Sequence, residues 1–535
     1  MPDDEHPIPP IPSPNGRRLR PLILAILPLA FLAAERILRA HGLPYWLWFN
    51  LDPSYLYFLN GLHVLDGATP GHVDHPGTPV QVLMALVIRL SGLAAPGTIG
   101  DGAFAWAEIL LMQANTVLLV LTALAMGLLG AVVARRSGRL VVALLAQMTP
   151  FLSMLALKHG IHVKPEPMLL LAVLLLSAAM VEQAIRPRWW LLLALGAVCG
   201  FGIAVKITFA PIALAPFLLA RGMRARALFC LAMVLALALF LWPAWGALDR
   251  MAEWIVQLAT HGGAYGNGAP SVMDLERYPA AFFKLFFARP VFLAVYAASL
   301  AVLVLGWRRR RRRGGAPMDG VERALLGVLV AQLAQMLMVA KHPSAHYVLP
   351  ALELSGLSMA LLWLAVRRVT LSAPRRRLVQ GAFAGLLVLL LVLQSVAFLR
   401  QDREMRADQA GALSIDMARD FPGCAIVYLN MASSPANAWF YNHAYGSHRY
   451  GARLKALMPT NEYFAYSWRS GVENWDGPVS PATLIARYPC VALRSTDAGY
   501  LRTVAGWFGT FFDKAASCAA GGESILVAGA SCPAG

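Results

Sequence analysis

RPRWWLLLALGAVCGFGIAVKITFAPIALAPFLLARGMRAR, residues 186–226, is apolar between two arginine clusters and carries a single charge, Lys206, near its middle. Arginine in short loops marks the cytoplasmic side of a membrane. Arg186 and Arg188 at one end and Arg221, Arg224 and Arg226 at the other therefore share a side, and the stretch between them crosses twice. Each crossing then has about 15 residues, roughly 23 Å, against a hydrocarbon core of about 30 Å. Lys206 falls below the far surface, which requires a wet cavity. The other reading is one kinked helix with a snorkelling lysine.

Working outward, apolar spans recur near 21–38, 104–134, 140–157, 167–185, 189–205, 207–220, 227–245, 290–307, 321–340, 347–366 and 378–399. Eleven crossings place 22 arginines in inner loops, including Arg308 to Arg313, with the N-terminus inside and the C-terminus outside. Residues 79–93 could also span, but counting them puts Arg135, Arg136 and Arg139 outside, so they are read as lying along the outer interface or dipping partway in. The expectation is a polytopic α-helical membrane protein. A tail occupies 1–20, a transmembrane domain 21–399 with a first outer loop at 40–103, and a small α/β domain 400–535.

Composition agrees. The 535 residues are 58% hydrophobic and only 14% charged, with a net charge of +17. A soluble fold carries about 25% charged residues, and disorder requires low hydrophobicity. The basic excess sits in short loops, where it orients spans, so nucleic acid is not an expected partner. Cys424, Cys490, Cys518 and Cys532 all fall in the polar C-terminal region. An even set there points to disulfides and an oxidising compartment, with three connectivities open. Short strands are expected at 425–429, 491–493 and 525–527.

The seven lysines all fall outside the inner loops. Candidate chemistry gathers on the same outer side. The first outer loop holds Leu51-Asp52-Pro53-Ser54-Tyr55 and then His72-Val73-Asp74-His75-Pro76-Gly77. Asp52 reads either as a base for an acceptor hydroxyl or as a helix N-cap before Pro53. His72, Asp74 and His75 match no strong zinc spacing, and a Pro-Gly turn explains them, so no cofactor is expected. Lys158-His159-Gly160-Ile161-His162-Val163-Lys164-Pro165-Glu166 puts two lysines, two histidines and a carboxylate within nine positions. Glu166 there is either a catalytic or substrate-binding group or a carboxylate complementing a helix dipole. Lys341-His342-Pro343-Ser344-Ala345-His346-Tyr347 suits a phosphate, or is a polar loop with an interfacial tyrosine.

Asp52 with Tyr55, His75-Pro76, Lys164-Pro165-Glu166, Lys206 and Lys341 to Tyr347, in that order, resemble the membrane glycosyltransferases of the C-type (GT-C) fold. The nearest group is that of the protein O-mannosyltransferases and lipid A aminoarabinose transferases, and the likeness covers the chain to about Leu399. Two motifs depart: Pro53 follows Asp52 where such loops often pair Asp with Glu, and His75-Pro76-Gly77 stands for a Lys-Pro-Pro-like element. The resemblance implies sugar transfer from a polyprenyl phosphate to a lipid, glycan or protein hydroxyl at the outer face of a bacterial inner membrane. Asp52 is then the base and Glu166 a second catalytic acid. Lys206, Lys341, His346 and Tyr347 meet the donor phosphate, and Tyr55, Asp74, His75, His162 and Lys164 line the substrates. Inversion at the sugar carbon is expected. The alternatives are a transporter or flippase of a lipid-linked sugar, or an oligosaccharide polymerase or ligase.

Overall fold

The computed structural model describes residues 14–47, 54–95, 98–263, 266–274, 276–312, 314–368, 372–429, 434–446, 448–466 and 471–533. The protein is a multi-pass helical membrane protein with a small disulfide-bonded α/β domain at its C-terminal end. Among the described residues, eight helical segments are long and apolar enough to cross a bilayer. The membrane domain runs through α1 (Pro14–His41), α2 (Ser54–Leu65), α3 (Thr78–Leu90), α4 (Ala107–Ser137), α5 (Leu140–Gln147), α6 (Met154–Gly160), α7 (Pro165–Ile185), α8 (Trp189–Val205), α9 (Leu214–Leu219) and α10 (Gly222–Leu241). It continues with α11 (Leu248–Thr260), α12 (Arg277–Phe287), α13 (Pro290–Arg312), α14 (Gly320–Ala340), α15 (Leu349–Val366) and α16 (Ala373–Ala412).

Two expected spans are broken. The 140–157 stretch becomes α5, a 3-10 turn over Thr149–Leu152 and α6, because Pro150 lacks an amide hydrogen and Ser153 turns extended. The 207–220 stretch becomes a 3-10 helix over Ile207–Ala213 followed by α9, with Pro211 and Pro216 interrupting the ladder. α3, at 13 residues, is about 20 Å long and too short to cross alone. Two expected boundaries also differ. α1 already begins within the expected tail, and α16 runs past Leu399 to Ala412 before the outer domain starts.

The arginine loops meet at one end of the bundle. Arg135 and Arg136 pair with Glu182, Arg310 with Glu322, and Arg368 with Asp319. Arg367 donates to the Ser137 carbonyl at 2.8 Å, and Arg221 to the Met318 carbonyl at 3.1 Å. Arg188 is held there too, its amide bonding Gln183 on α7. The 186–226 stretch therefore leaves and returns to the same end, and the single kinked helix does not occur. Small residues permit the tight packing beside it: a Cβ on Gly196 of α8 would lie 2.5 Å from the Phe229 carbonyl of α10 and 2.7 Å from the Ala232 side chain. At the centre α15 is enclosed, with every residue from Leu349 to Ala365 buried.

Among the described residues the outer domain has seven strands: β1 (Ala425–Leu429), β2 (Glu462–Ala465), β3 (Val472–Asn474), β4 (Gly477–Val479), β5 (Val491–Ser495), β6 (Ala516–Ala520) and β7 (Glu523–Ala528). Their order is β4-β3-β2-β1-β5-β7-β6, with β2, β1 and β5 parallel and the remaining pairings antiparallel. Three of these strands are the expected ones. The disulfides are Cys424–Cys490, which ties the starts of β1 and β5, and Cys518–Cys532. Buried Arg494 pairs with Glu523 and donates to the Ala412 carbonyl at 3.0 Å, fastening the domain to the end of α16. Pro435–Gly446, here α17, packs its Trp439 between Tyr55, Phe58 and Phe104 of the membrane domain.

Candidate functional site

At the end away from the arginines, four distant stretches converge. α8 stops at Lys206 because that residue turns extended (φ −159°) and pairs with Pro76 as an isolated bridge. The Ile207 amide donates to the His75 carbonyl at 2.9 Å, and the Gly77 amide to the Val205 carbonyl at 3.2 Å. Gly77 has φ 74°, a left-handed conformation that favours glycine and lets the loop turn into α3. The Pro-Gly turn expected after His75 is thus a two-bond splice onto the Lys206 segment.

Lys206 reaches inward, with its Nζ 2.7 Å from Glu166 Oε1. Lys164 Nζ is 3.7 Å from Glu166 Oε2. All three side chains are at most 2% exposed. Glu166 stands in the first turn of α7 behind Pro165, where its carboxylate also faces the helix N-terminus. Glu166 thus complements the dipole, as one reading of it expected, and holds two ammonium groups as well. Two ammonium groups thus share one buried carboxylate.

Tyr347 and His346 close one side. Lys206 Nζ lies 4.7 Å from the centre of the Tyr347 ring, and His346 stacks edge-on against that ring at 4.2 Å. Ser344 Oγ lies 2.8 Å from His346 Nδ1, and the His346 ring is 5.6 Å from that of His159. Burial, then the charge of Lys164, pushes the His159 imidazole well below the usual histidine range. One residue that sequence reasoning missed binds these parts together. Gln335 of α14, fully buried, donates through Nε2 to the Thr208 carbonyl at 2.9 Å and to the Tyr347 carbonyl at 3.0 Å. A glutamine inside an apolar span was the available signal. Glu353 of α15, also buried, lies near enough to Glu166 for their charges to interact.

The remaining candidates do not all join this group. His75 Nε2 is 3.3 Å from His72 Nε2 and 3.4 Å from the Tyr57 hydroxyl, while Asp74 lies 3.8 Å from His72 Nδ1. His162 is buried beside Tyr45, with ring centres 6.0 Å apart, and Asn115 bonds its carbonyl at 3.4 Å. Lys341 stands apart from the Glu166 group. Its ammonium donates to the Ala259 carbonyl, and His342 contacts the Leu258 carbonyl at 3.0 Å, so the two cap the last turn of α11. Tyr55 is buried against Trp439 at 4.4 Å. Asp52 lies outside the described residues, but Ser54 Oγ accepts from the Val163 amide at 3.2 Å, which brings the start of α2 beside Lys164.

This fold is GT-C-like, the architecture of the C-type membrane glycosyltransferases. A solved structure that shares it is the crystal structure of ArnT from Cupriavidus metallidurans bound to undecaprenyl phosphate. The two align with a TM-score of 0.51 at 12% identity, over 96% of this chain and 98% of that one. No protein-family profile matches the sequence, and no curated protein does.

Proposed function

We propose that this protein is a membrane glycosyltransferase that moves a sugar from a polyprenyl-phosphate donor to an acceptor hydroxyl. The reaction takes place at the outer face of the membrane, with the outer domain in the periplasm and the N-terminus in the cytoplasm. The observation that supports this best is the buried Lys164–Glu166–Lys206 group beneath Tyr347 and His346. It lies in a fold shared with a protein whose crystal structure holds undecaprenyl phosphate.

In the proposed step the bond between the sugar carbon and the phosphate oxygen breaks, and its electron pair goes to that oxygen. The acceptor oxygen bonds the same carbon from the opposite face, which inverts it. The acceptor proton passes to the Asp52 carboxylate. The leaving phosphate gains charge, and fixed cations already in place stabilise that gain without reorganising. Lys206 is the chief candidate, with Lys164, His346 and Tyr347 beside it. Glu166 aims both ammonium groups, and neutral His159 is available as a donor or acceptor. His75 is joined to the Lys206 segment by the backbone splice and meets His72 and Tyr57.

The test is purified protein incubated with polyprenyl-phosphate sugars and candidate acceptors. Transfer by the wild type, abolished in Asp52→Asn and Lys206→Met, supports the reading. Movement of labelled lipid across vesicles without transfer favours the transporter alternative. Repeated addition to a growing glycan favours the polymerase.

A further inference from the structure

At the arginine end of the bundle, the acids Glu182, Asp319 and Glu322 are each already matched: to Arg135 and Arg136, to Arg368 and to Arg310. Asp319 is doubly engaged, because it also caps α14, accepting from the Val321 and Glu322 amides at 2.7 and 3.0 Å. Among the described residues, no carboxylate lies within ion-pair distance of Arg221, Arg226 or Arg323. The charge of Asp319 reaches Arg323, but its carboxylate is bonded to Arg368.

The fold brings these three arginines together from separate stretches of chain. Arg221 precedes α10, Arg226 stands in its second turn, and Arg323 lies in the first turn of α14. Arg221 donates to the Met318 carbonyl, just ahead of α14, at 3.1 Å. Helix α9 is shared by the helices that carry the other two. A Cβ on Gly327 of α14 would lie 2.5 Å from the Ala215 carbonyl of α9, and the Arg226 guanidinium lies 5.2 Å from the centre of the Phe217 ring of α9. The charges of Arg221 and Arg226 both act on Arg323. Arg226 Nε and Arg323 Nε are each buried and meet no hydrogen-bond acceptor. Orienting a span requires arginines on this side of the bilayer. It does not require them to converge, where like charges repel, nor to bury N–H groups that go unanswered, which is costly. Apolar surface flanks the cluster, with Leu214 of α9 and Leu231, Val234 and Leu235 of α10 exposed.

We propose that Arg221, Arg226 and Arg323 form a binding site for the phosphate of an anionic phospholipid in the leaflet beside the arginine end. A phosphodiester supplies the missing acceptors and the missing negative charge, and the guanidinium fork matches its oxygens. Basic pockets between membrane helices take lipid headgroups in this way. A free phosphate ion shares the headgroup chemistry but has no use for the apolar side chains beside it, so a lipid is the occupant that fits. The site lies at the opposite end of the bundle from Lys206 and does not depend on the transferase reading.

The experiment uses the full-length protein, delipidated in a neutral detergent, with phosphatidylglycerol, phosphatidylcholine or inorganic phosphate added. Bound lipid is read by native mass spectrometry and stability by Tm. Arg226→Gln with Arg323→Gln is compared with Arg309→Gln and Arg311→Gln, which remove the same charge from exposed positions on α13. The wild type should hold phosphatidylglycerol about tenfold or more tighter than phosphatidylcholine, and inorganic phosphate in excess should not displace it. At about fivefold per arginine, the Arg226/Arg323 pair of substitutions should weaken phosphatidylglycerol by about thirtyfold, while the control pair keeps it. Without lipid, the Arg226→Gln/Arg323→Gln protein should melt at or above the wild type, since a repulsion is gone, and phosphatidylglycerol should raise the Tm of the wild type alone. Equal loss in both pairs overturns the proposal, leaving surface charge only, as does equal binding of the two lipids. Displacement by inorganic phosphate makes the ligand a free anion and overturns the lipid. A variant that melts below the wild type without lipid, yet binds phosphatidylglycerol as tightly, shows the arginines to be structural and also sinks it.

Discussion

Replacing Lys206 with methionine removes the closer of the two ammonium groups on Glu166 and keeps the length of the side chain. At an effective dielectric of 20, the 2.7 Å contact is worth about 6 kcal/mol of gross attraction and the 3.7 Å contact from Lys164 about 4.5 kcal/mol. The variant therefore leaves a buried carboxylate with less than half of its compensation. Breaking one side of a buried pair costs about 3–5 kcal/mol. For a chain of this size that corresponds to a fall in Tm of about 3–5 °C, read by thermal unfolding of the detergent-purified protein. Adding Glu166→Gln removes the stranded charge, so the double variant should recover most of the lost stability. Activity separates from stability here: both variants lack the cation that stabilises the leaving phosphate, and neither should transfer sugar. The reasoning is refuted if Lys206→Met melts with the wild type, or if the double variant is no more stable than Lys206→Met.

Three other outcomes follow from particular contacts. Glu462 of β2 accepts from Ser434 Oγ at 2.9 Å, and burial raises its carboxyl to about 7. Its contribution to stability is therefore full below the unfolded value of 4.5 and lost as pH rises through 7, so Glu462→Gln should raise Tm at pH 8 by an amount that vanishes near pH 4. Gly196→Leu drives a side chain into the α10 backbone and should yield aggregated protein on size exclusion, whereas Gly127→Ala on α4, with open space around it, should be neutral or mildly stabilising. Lys341→Met removes a cap from α11, which should speed amide exchange over 248–260 by several-fold while changing donor affinity far less than Lys206→Met does.

The membrane class, the gathering of the arginine loops at one end and the out-and-back path around Lys206 were legible from composition and spacing. Each follows from the bilayer, which acts on every residue by its depth and needs no knowledge of partners. The outer α/β domain was legible too, through its cysteines and three apolar strand signals. The eleven full-length spans were not, because Pro150, Pro211 and Pro216 break helices that hydropathy alone counts as continuous. Lys164, Glu166 and Lys206 stood out singly as charges in apolar chain, but their joining into one group depended on α7 and α8 packing side by side. Lys341 was indistinguishable from them by residue type, yet the fold turns it onto the end of α11. Gln335 passed unnoticed, since its importance lies in carbonyls contributed by other stretches of chain. A sequence determines how each segment partitions between water and lipid; which polar atoms meet inside is a matter of long-range packing, and only the tertiary structure decides it.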